Sequence, residues 1–518
     1  MAATIVLGST LLCVATLLLA QGHADNAVRL FDPYILRALR FTLWQASLST
    51  LLSVAAAVPI ARAFARREKM PGRELVLKLF ALPLGLPQLV VVLGILSVWG
   101  GRGWINDVLD AAGLAPMPPV FGLAGILLAH VFFNLPLAVR YILASLDGVP
   151  KENWRLAASL SFTSRDIFRL IEWPHIRASL PGIAALIFML CVTSFTVVLT
   201  LGGGPQASTL EVSIYQALRF DFDPALAARL AFLQITLCAL LLTGLNRLAT
   251  PVPVAARLRL EAQRPDAGER RGRLIDGALI VSATAFVALP VVAIAVDGLT
   301  ADFVRLSRDR VLWRALFASL GISAASALLA IVLTFTLAQA SLRSARPWSA
   351  VFRFTGSLVL LVPPLVIAAG AFLLSHRFFD AASAAPFVVV AVNGIMALPF
   401  AFPVLATAMR RSFLAHDRVA ASLGLEGFDR LRLVEWPVLR PAFLLAGLIA
   451  ALVSLGDFGV VAFFGGENFI TLPLYLYQRL GSYRTSDAAG IALVLLLLCF
   501  VMALLVDRLV ARAGEQRA

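Results

Sequence analysis

The sequence predicts an all-α polytopic membrane protein made of two homologous halves of about six helices each. Three observations point there. The 518 residues are 60% hydrophobic and only 14% charged, with a mean hydropathy of +0.88, a balance foreign to soluble domains. Apolar runs near twenty residues long recur through the chain, each able to cross ~30 Å of hydrocarbon as a helix. A polar segment of 23 residues occurs twice, 263 positions apart, with 12 identities and no gap.

The apolar runs are continuous rather than alternating, which selects helices over barrel strands. Twelve candidate spans cover 3–21, 41–63, 79–99, 120–142, 180–201, 228–246, 274–296, 313–336, 355–375, 385–408, 442–464 and 488–508. The first ends at AQGHAD, loosely like a signal cleavage site. It lacks a basic n-region, since the first Lys or Arg is Arg29, so an uncleaved helix is expected. Cys13, Cys191, Cys238 and Cys499 all fall inside spans, without metal-ligand spacing, and read as small buried hydrophobes. No metal site is expected.

The net charge of +14 raises nucleic acid as a partner, but its distribution argues against one. With a cytoplasmic N-terminus, most Lys and Arg fall on inside segments, as the positive-inside rule asks. Arg62, Arg66, Arg67, Lys69, Arg73 and Lys78 follow the second span, and seven arginines lie between Arg247 and Arg273. Both copies of the repeat and both termini are then expected in the cytoplasm.

The repeat reaches beyond the polar segment. Asn134-Leu135-Pro136 aligns with Ala397-Leu398-Pro399, and Phe195, Val197, Val198, Gly202 and Gly203 align with Phe458, Val460, Val461, Gly465 and Gly466. Tyr215-Gln216 aligns with Tyr477-Gln478 at an offset of 262, and Pro87 and Gly94 with Pro363 and Gly370 at 276. The expected organisation is a first half at 1–250 (core about 40–246), a cytoplasmic Pro/Ala/Arg-rich linker at 251–273, and a second half at 274–518 (core about 313–508). Six spans per half give a parallel repeat, with any pathway between the halves.

The duplicated segments run from Arg155 to Arg177 and from Arg418 to Arg440. In the first, Pro150 can start a short helix over 151–160. Thr163 or Ser164 offers an N-cap for a second helix over 165–172. There Ile167, Leu170 and Ile171 share one face, and Pro174 is expected to stop the helix. The second copy breaks at Gly424 and Gly427 and ends at Pro437. A positive-inside loop explains the arginines but not the twice-kept Ala-Ala-Ser-Leu and Glu-Trp-Pro. Two copies of one docking surface explain both.

Here the chain resembles permease subunits of bacterial binding-protein-dependent (type I) ABC importers. Their cytoplasmic loop carries Glu-Ala-Ala, then Gly, then Pro thirteen residues after it. Gly424 to Pro437 has that spacing and Ala420 falls on the last Ala, whereas Ser161 replaces the Gly in the first copy and Pro174 follows thirteen later. Ala157 corresponds to Ala420, and Arg155 and Arg418 stand at the family's Glu position. Fused two-half permeases narrow the resemblance to the thiamine and ferric-iron importers. The segments 201–228 and 454–489 look very like the thiamine importer permease, with the ferric-iron permease as the alternative.

The resemblance implies two type I transmembrane domains in the inner membrane and a chain that binds no cofactor. ATP would be used by two copies of a separate ATPase subunit, and a periplasmic thiamine-binding protein would deliver thiamine or its phosphates. The coupling-loop residues it implies are Arg155, Ala157, Ala158, Ser159, Ser161, Glu172, Trp173 and Pro174 in one copy. In the other they are Arg418, Ala420, Ala421, Ser422, Gly424, Glu435, Trp436 and Pro437. It also places the segments Pro205–Pro224 and Glu467–Asp487 where a periplasmic protein docks or a gate closes, re-entrant packing being the plain alternative.

No phosphate-cradling loop is visible: Lys69, Lys78 and Lys151 are the only lysines, and none follows a Gly or precedes Ser or Thr. An ion-coupled secondary transporter would need ionisable groups at mid-membrane, where Asp457 is the single clear acid. Pro83, Pro87, Pro363, Pro364, Pro399 and Pro403 interrupt apolar runs, as in helices that line a path, and so weigh against a purely structural membrane protein. Asp457, with Thr193, Ser194 and Thr196 from the other half, makes the candidate pathway set. A helix-packing role explains the same polar residues equally well.

Overall fold

A computed structural model of the chain describes residues 2–19, 32–248, 264–268, 270–378, 381–425, 427–466, 469–482 and 484–515. The described residues form helices and no strand. The first twelve helices are α1 (Ala2–Leu19), α2 (Pro33–Arg66), α3 (Arg73–Leu79), α4 (Gln88–Trp99), α5 (Trp104–Ala111), α6 (Leu123–Asp147), α7 (Lys151–Ser159), α8 (Ser164–Ile167), α9 (Trp173–Val192), α10 (Thr196–Leu201), α11 (Leu210–Arg219) and α12 (Pro224–Leu248). The other twelve are α13 (Arg270–Leu299), α14 (Phe303–Arg308), α15 (Arg310–Arg343), α16 (Arg346–Gly356), α17 (Pro364–Phe378), α18 (Ala381–Met396), α19 (Leu398–Ser422), α20 (Gly427–Arg430), α21 (Trp436–Leu455), α22 (Gly459–Phe464), α23 (Leu472–Gly481) and α24 (Thr485–Glu515).

Among the described residues, ten helices are long and apolar enough to cross a membrane, and the bent pair α18–α19 makes an eleventh. The remaining expected span is the short apolar α17. Its shortness, and that of α4, has a local cause. Pro87 caps α4, Pro364 occupies the first turn of α17, and 3₁₀ turns at Leu82–Leu84 and Leu358–Leu360 precede them. The stretches 79–99 and 355–375 therefore begin as turns rather than helix. Pro403, expected to interrupt its run, instead sits inside continuous α19, as Pro136 does inside α6. The 52° bend falls one step earlier, between Met396 and Leu398. There Pro399, in the first turn of α19, lacks an N–H to carry the α18 ladder onward.

The helices pack as a repeat. α2 lies against α6 and α9, as α15 lies against α18, α19 and α21. The first helix of each set crosses over: α1 packs on α17 and α13 packs on α4. Two aligned glycines make these crossings. A Cβ on Gly94 would stand 2.5 Å from the Pro290 carbonyl oxygen, and one on Gly370 would stand 2.1 Å from that of Cys13. Only glycine permits this approach, the small-residue contact common between membrane helices. Other fine details repeat as well. Asp32 and Asp309 N-cap α2 and α15. Thr42 Oγ1 and Ser319 Oγ accept the Leu210 and Leu472 N–H groups at 3.0 and 2.8 Å. The four cysteines are buried and unpaired.

Candidate functional site

Both duplicated loops are built the same way at the backbone. α7 ends in a Schellman turn: the Phe162 N–H reaches the Ala157 carbonyl at 3.0 Å, with Ser161 in the left-handed region at φ 52°. α19 ends identically, Leu425 N–H to Ala420 carbonyl at 3.0 Å, with Gly424 at φ 62°. The position needs positive φ, which glycine adopts freely and serine adopts under strain. Ala157 and Ala420 accept these bonds and are 0% and 1% exposed, so a larger side chain has no room there.

Past the turn, Thr163 caps α8 in a reciprocal box with Asp166. A π turn then spans Phe168–Glu172 in one loop and Leu431–Glu435 in the other. It runs directly into α9 and α21, each with a proline at its second residue. Pro174 thus does not stop the loop helix, as the sequence suggested. A proline cannot donate to the carbonyl four residues back and clashes with it. The wider π turn makes room, and the Trp173 N–H reaches back five residues to Phe168. Loop helix and span are therefore mechanically one piece.

What each loop shows to solvent is also repeated. Leu156, Leu160, Leu170 and Trp173 are 56%, 57%, 56% and 38% exposed, and their counterparts Val419, Leu423, Leu433 and Trp436 are 57%, 68%, 61% and 51%. Arg155, Ala158, Ser159 and Ser161 lie on the same exposed surface, as do Arg418, Ala421, Ser422, Gly424 and Pro437, while Pro174 is half-buried. Apolar side chains left exposed at matched places mark an interaction surface. Sequence reasoning missed the leucines, although their recurrence within the repeat was the available signal. It also placed Leu170 on the apolar inner face, whereas only Ile167 and Ile171 are buried.

Glu172 and Glu435 are not on that surface: they are 0% and 8% exposed. Glu172 is gripped by Arg62 at the end of α2 and by Arg264 in the described part of the expected linker. Arg264 also lies 4.3 Å from the Trp154 ring centroid and 3.3 Å from Asp266, which with Asp276 holds Arg66 at 3.5 and 3.4 Å. Burial works against the Arg264 charge, but Glu172 and Asp266 outweigh it and hold the guanidinium above its ordinary range. In the second loop, Arg430 bridges Asp417 at 2.7 Å and Glu435 at 3.1 Å, with Arg343 more distant at 3.9 Å. Of the expected linker, 251–263 lies outside the described residues.

On the far side from the loops, α9 and α21 break at Thr193–Phe195 and Gly456–Phe458. The twenty residues of α9 rise ~30 Å before the break. Phe195 and Phe458, which the repeat pairs, stack on each other with centroids 6.1 Å apart and planes at 16°. Residues matched by the repeat thus touch each other directly. Each ring also meets its own half's tyrosine, Tyr215 at 5.2 Å and Tyr477 at 4.8 Å. The segments expected at the outer surface are mostly buried helices here. α11 packs on α17 and α23 on α4, as in the re-entrant alternative.

The breaks are held differently. In the first half, Gln45 donates to the Cys191 carbonyl at 2.9 Å, and Gln234 donates to the Val192 carbonyl at 3.4 Å and to Glu211 at 3.2 Å. Glu211 is 1% exposed, a buried acid, as Asp457 is, that the sequence reading missed because its segment looked external. In the second half, buried Asp457 accepts the Val460 N–H on Oδ1 at 3.2 Å and lies against the Asn393 amide and the Gly459 and Val461 N–H groups at the start of α22. Ser194 and Thr196 are buried, and half-buried Thr193 bonds back to Met189 at 3.0 Å.

Comparison with known proteins gives full-length relatives. The chain is 47% identical over 510 residues to the thiamine transport system permease protein ThiP of Brucella abortus (strain 2308), covering 98% of this chain and 93% of that protein. It is 44% identical over 485 residues to ThiP of Escherichia coli (strain K12), covering 93% and 90%. A molybdenum transport system permease protein, ModB of Azotobacter vinelandii, is 32% identical over 180 residues, 35% of this chain but 78% of its own length. No family model matches the chain.

Proposed function

The chain belongs to the thiamine transport system permease family, and on that premise we propose that it is the membrane subunit of an ATP-driven importer that carries thiamine across the bacterial inner membrane. It is a transporter component and not an enzyme. In this proposal a separate ATPase subunit supplies the energy, and two copies of it grip the two loops from the cytoplasm, where both termini also lie. A periplasmic thiamine-binding protein delivers the substrate. The two halves, 1–250 and 274–518, are two type I domains joined by the linker.

The observation that supports this reading most is the matched apolar face on two loops, each fused through a π turn to a span that ends at the central aromatic stack. A subunit gripping Leu160 and Trp173, or Leu423 and Trp436, would move α9 or α21 as a lever. Asp457, Thr193, Ser194 and Thr196 stand beside the stack as pathway residues in this proposal. Asp457→Asn should then slow thiamine uptake while the complex still assembles.

Reconstitution tests the function. Proteoliposomes holding this chain with its ATPase and binding protein should accumulate radiolabelled thiamine in an ATP-dependent manner. Trp173→Ala or Trp436→Ala should uncouple ATP hydrolysis from uptake. Uptake that proceeds without the ATPase, or none with all components present, would refute the proposal.

A further inference from the structure

Four aromatic rings and one carboxylate converge where the two halves meet. Phe195 and Phe458, matched by the repeat, stack on each other, and Tyr215 and Tyr477 flank them edge-on or tilted. Asp457 precedes Phe458 directly in the chain. Its Oδ1 and the Phe195 ring both lie within 4 Å of the point that a Cβ on Gly459 would occupy, at 3.8 and 3.4 Å. Its carboxylate is buried among the Asn393 amide and the Gly459, Val460 and Val461 N–H groups, with no cation paired to it among the described residues.

We propose that this cluster is a recognition station for a flat aromatic cation, clasped between Phe195 and Phe458 with its charge toward Asp457. This rests on the thiamine reading and deepens it, since the thiazolium ring of thiamine is such a cation. The chemistry is general. Aromatic faces attract cations, most strongly where water is excluded, and a buried carboxylate adds charge complementarity. A ring held between two others needs centroids roughly 7–8 Å apart, twice the ordinary ~3.5–4.0 Å carbon contact. The 6.1 Å pair is therefore closed as it stands. It opens by separating α9 from α21, the two helices that the π turns fuse to the docking loops. One motion then links loop and station.

The repeat adds a specificity argument. The rings are symmetric, but the carboxylate is not, because Ser194 occupies the position matched to Asp457. A symmetric clasp with a single acid suits a ligand with one charged ring and one neutral ring.

The test uses the permease–ATPase complex, purified without binding protein, and tritiated thiamine in equilibrium dialysis. The wild type should bind saturably. Phe458→Leu should bind roughly tenfold more weakly, the loss expected for a desolvated cation–π contact, whereas Phe458→Trp should retain affinity. Thiochrome, the uncharged oxidation product of thiamine, should compete poorly. Retention of the ATPase by each variant shows that it is folded. Phe195→Leu serves as the second variant if Phe458→Leu fails to assemble. Wild-type complex that transports thiamine in proteoliposomes but shows no saturable binding, or equal binding by the Leu and Trp variants, would overturn the station and leave the transport reading intact. A wild-type complex that carries no thiamine would bring down both.

Discussion

The two duplicated loops agree on the outside and disagree on the inside. Their exposed residues match in kind at four positions, Leu156 with Val419, Leu160 with Leu423, Leu170 with Leu433 and Trp173 with Trp436. Their interiors use opposite chemistry. The first packs Val149, Trp154, Ala157, Ile167 and Ile171 into a small apolar core. The second puts Asp417 where Trp154 stands and Arg430 where Ile167 stands, and closes the space with ion pairs. If the repeat were kept only to fold a loop, the interior would be the part preserved. The interior keeps Ala157/Ala420 and Glu172/Glu435 but exchanges Trp154 and Ile167, whereas all four surface positions persist in kind, so each loop is shaped for what touches it.

The anchoring differs too. The first loop is tied by Glu172 to Arg264 of the linker, within a largely buried network. The second relies on Arg430 within its own loop and on the half-exposed Arg343. The largest effect should come from Glu172→Gln, which removes the buried carboxylate that Arg62 and Arg264 share and should cost about 3–5 kcal/mol. Glu435→Gln should cost about 1–3 kcal/mol. Thermal unfolding of the purified protein compares them, and equal losses would erase the asymmetry.

Converting the second interior to the first, Asp417→Trp with Arg430→Ile, also takes from buried Glu435 its 3.1 Å partner and leaves it Arg343 at 3.9 Å, so it should cost about 1–3 kcal/mol, a loss that adding Glu435→Gln should reduce. ATPase retention should not change. Leu170→Asp or Leu433→Asp should leave stability within about 0.5 kcal/mol but weaken ATPase capture by about 2 kcal/mol, the scale of an interface anchor. Pull-down at graded ATPase concentrations measures it. The smallest effect should be Ser161→Gly, which relieves left-handed strain and should stabilise by about 1 kcal/mol. Gly424→Ser should cost a similar amount by the same assay.

Much of this was legible in the residues. The apolar runs located the spans, and the 263-residue offset aligned Phe195 with Phe458 before their stacking was visible. Gly94 and Gly370 were paired by sequence, although only the crossing of α1 and α13 explains why. Other features depend on contacts that no local pattern encodes. The π turns come from a proline clash resolved in three dimensions, where a simple reading of Pro174 predicts a stop. Glu172 looked like part of the docking surface until Arg62 and Arg264 buried it. Glu211 sat in a segment polar enough to seem external, yet its role is to hold Gln234 against the end of α9.

The central claim is that one surface is offered twice to two copies of one partner. Placing a photo-crosslinking residue at Leu160 and, separately, at Leu423 in the assembled complex tests it directly, with the captured peptide identified by mass spectrometry. The account predicts that both positions capture the same peptide of the ATPase. Capture of different peptides, or capture of the ATPase from only one loop, would contradict it.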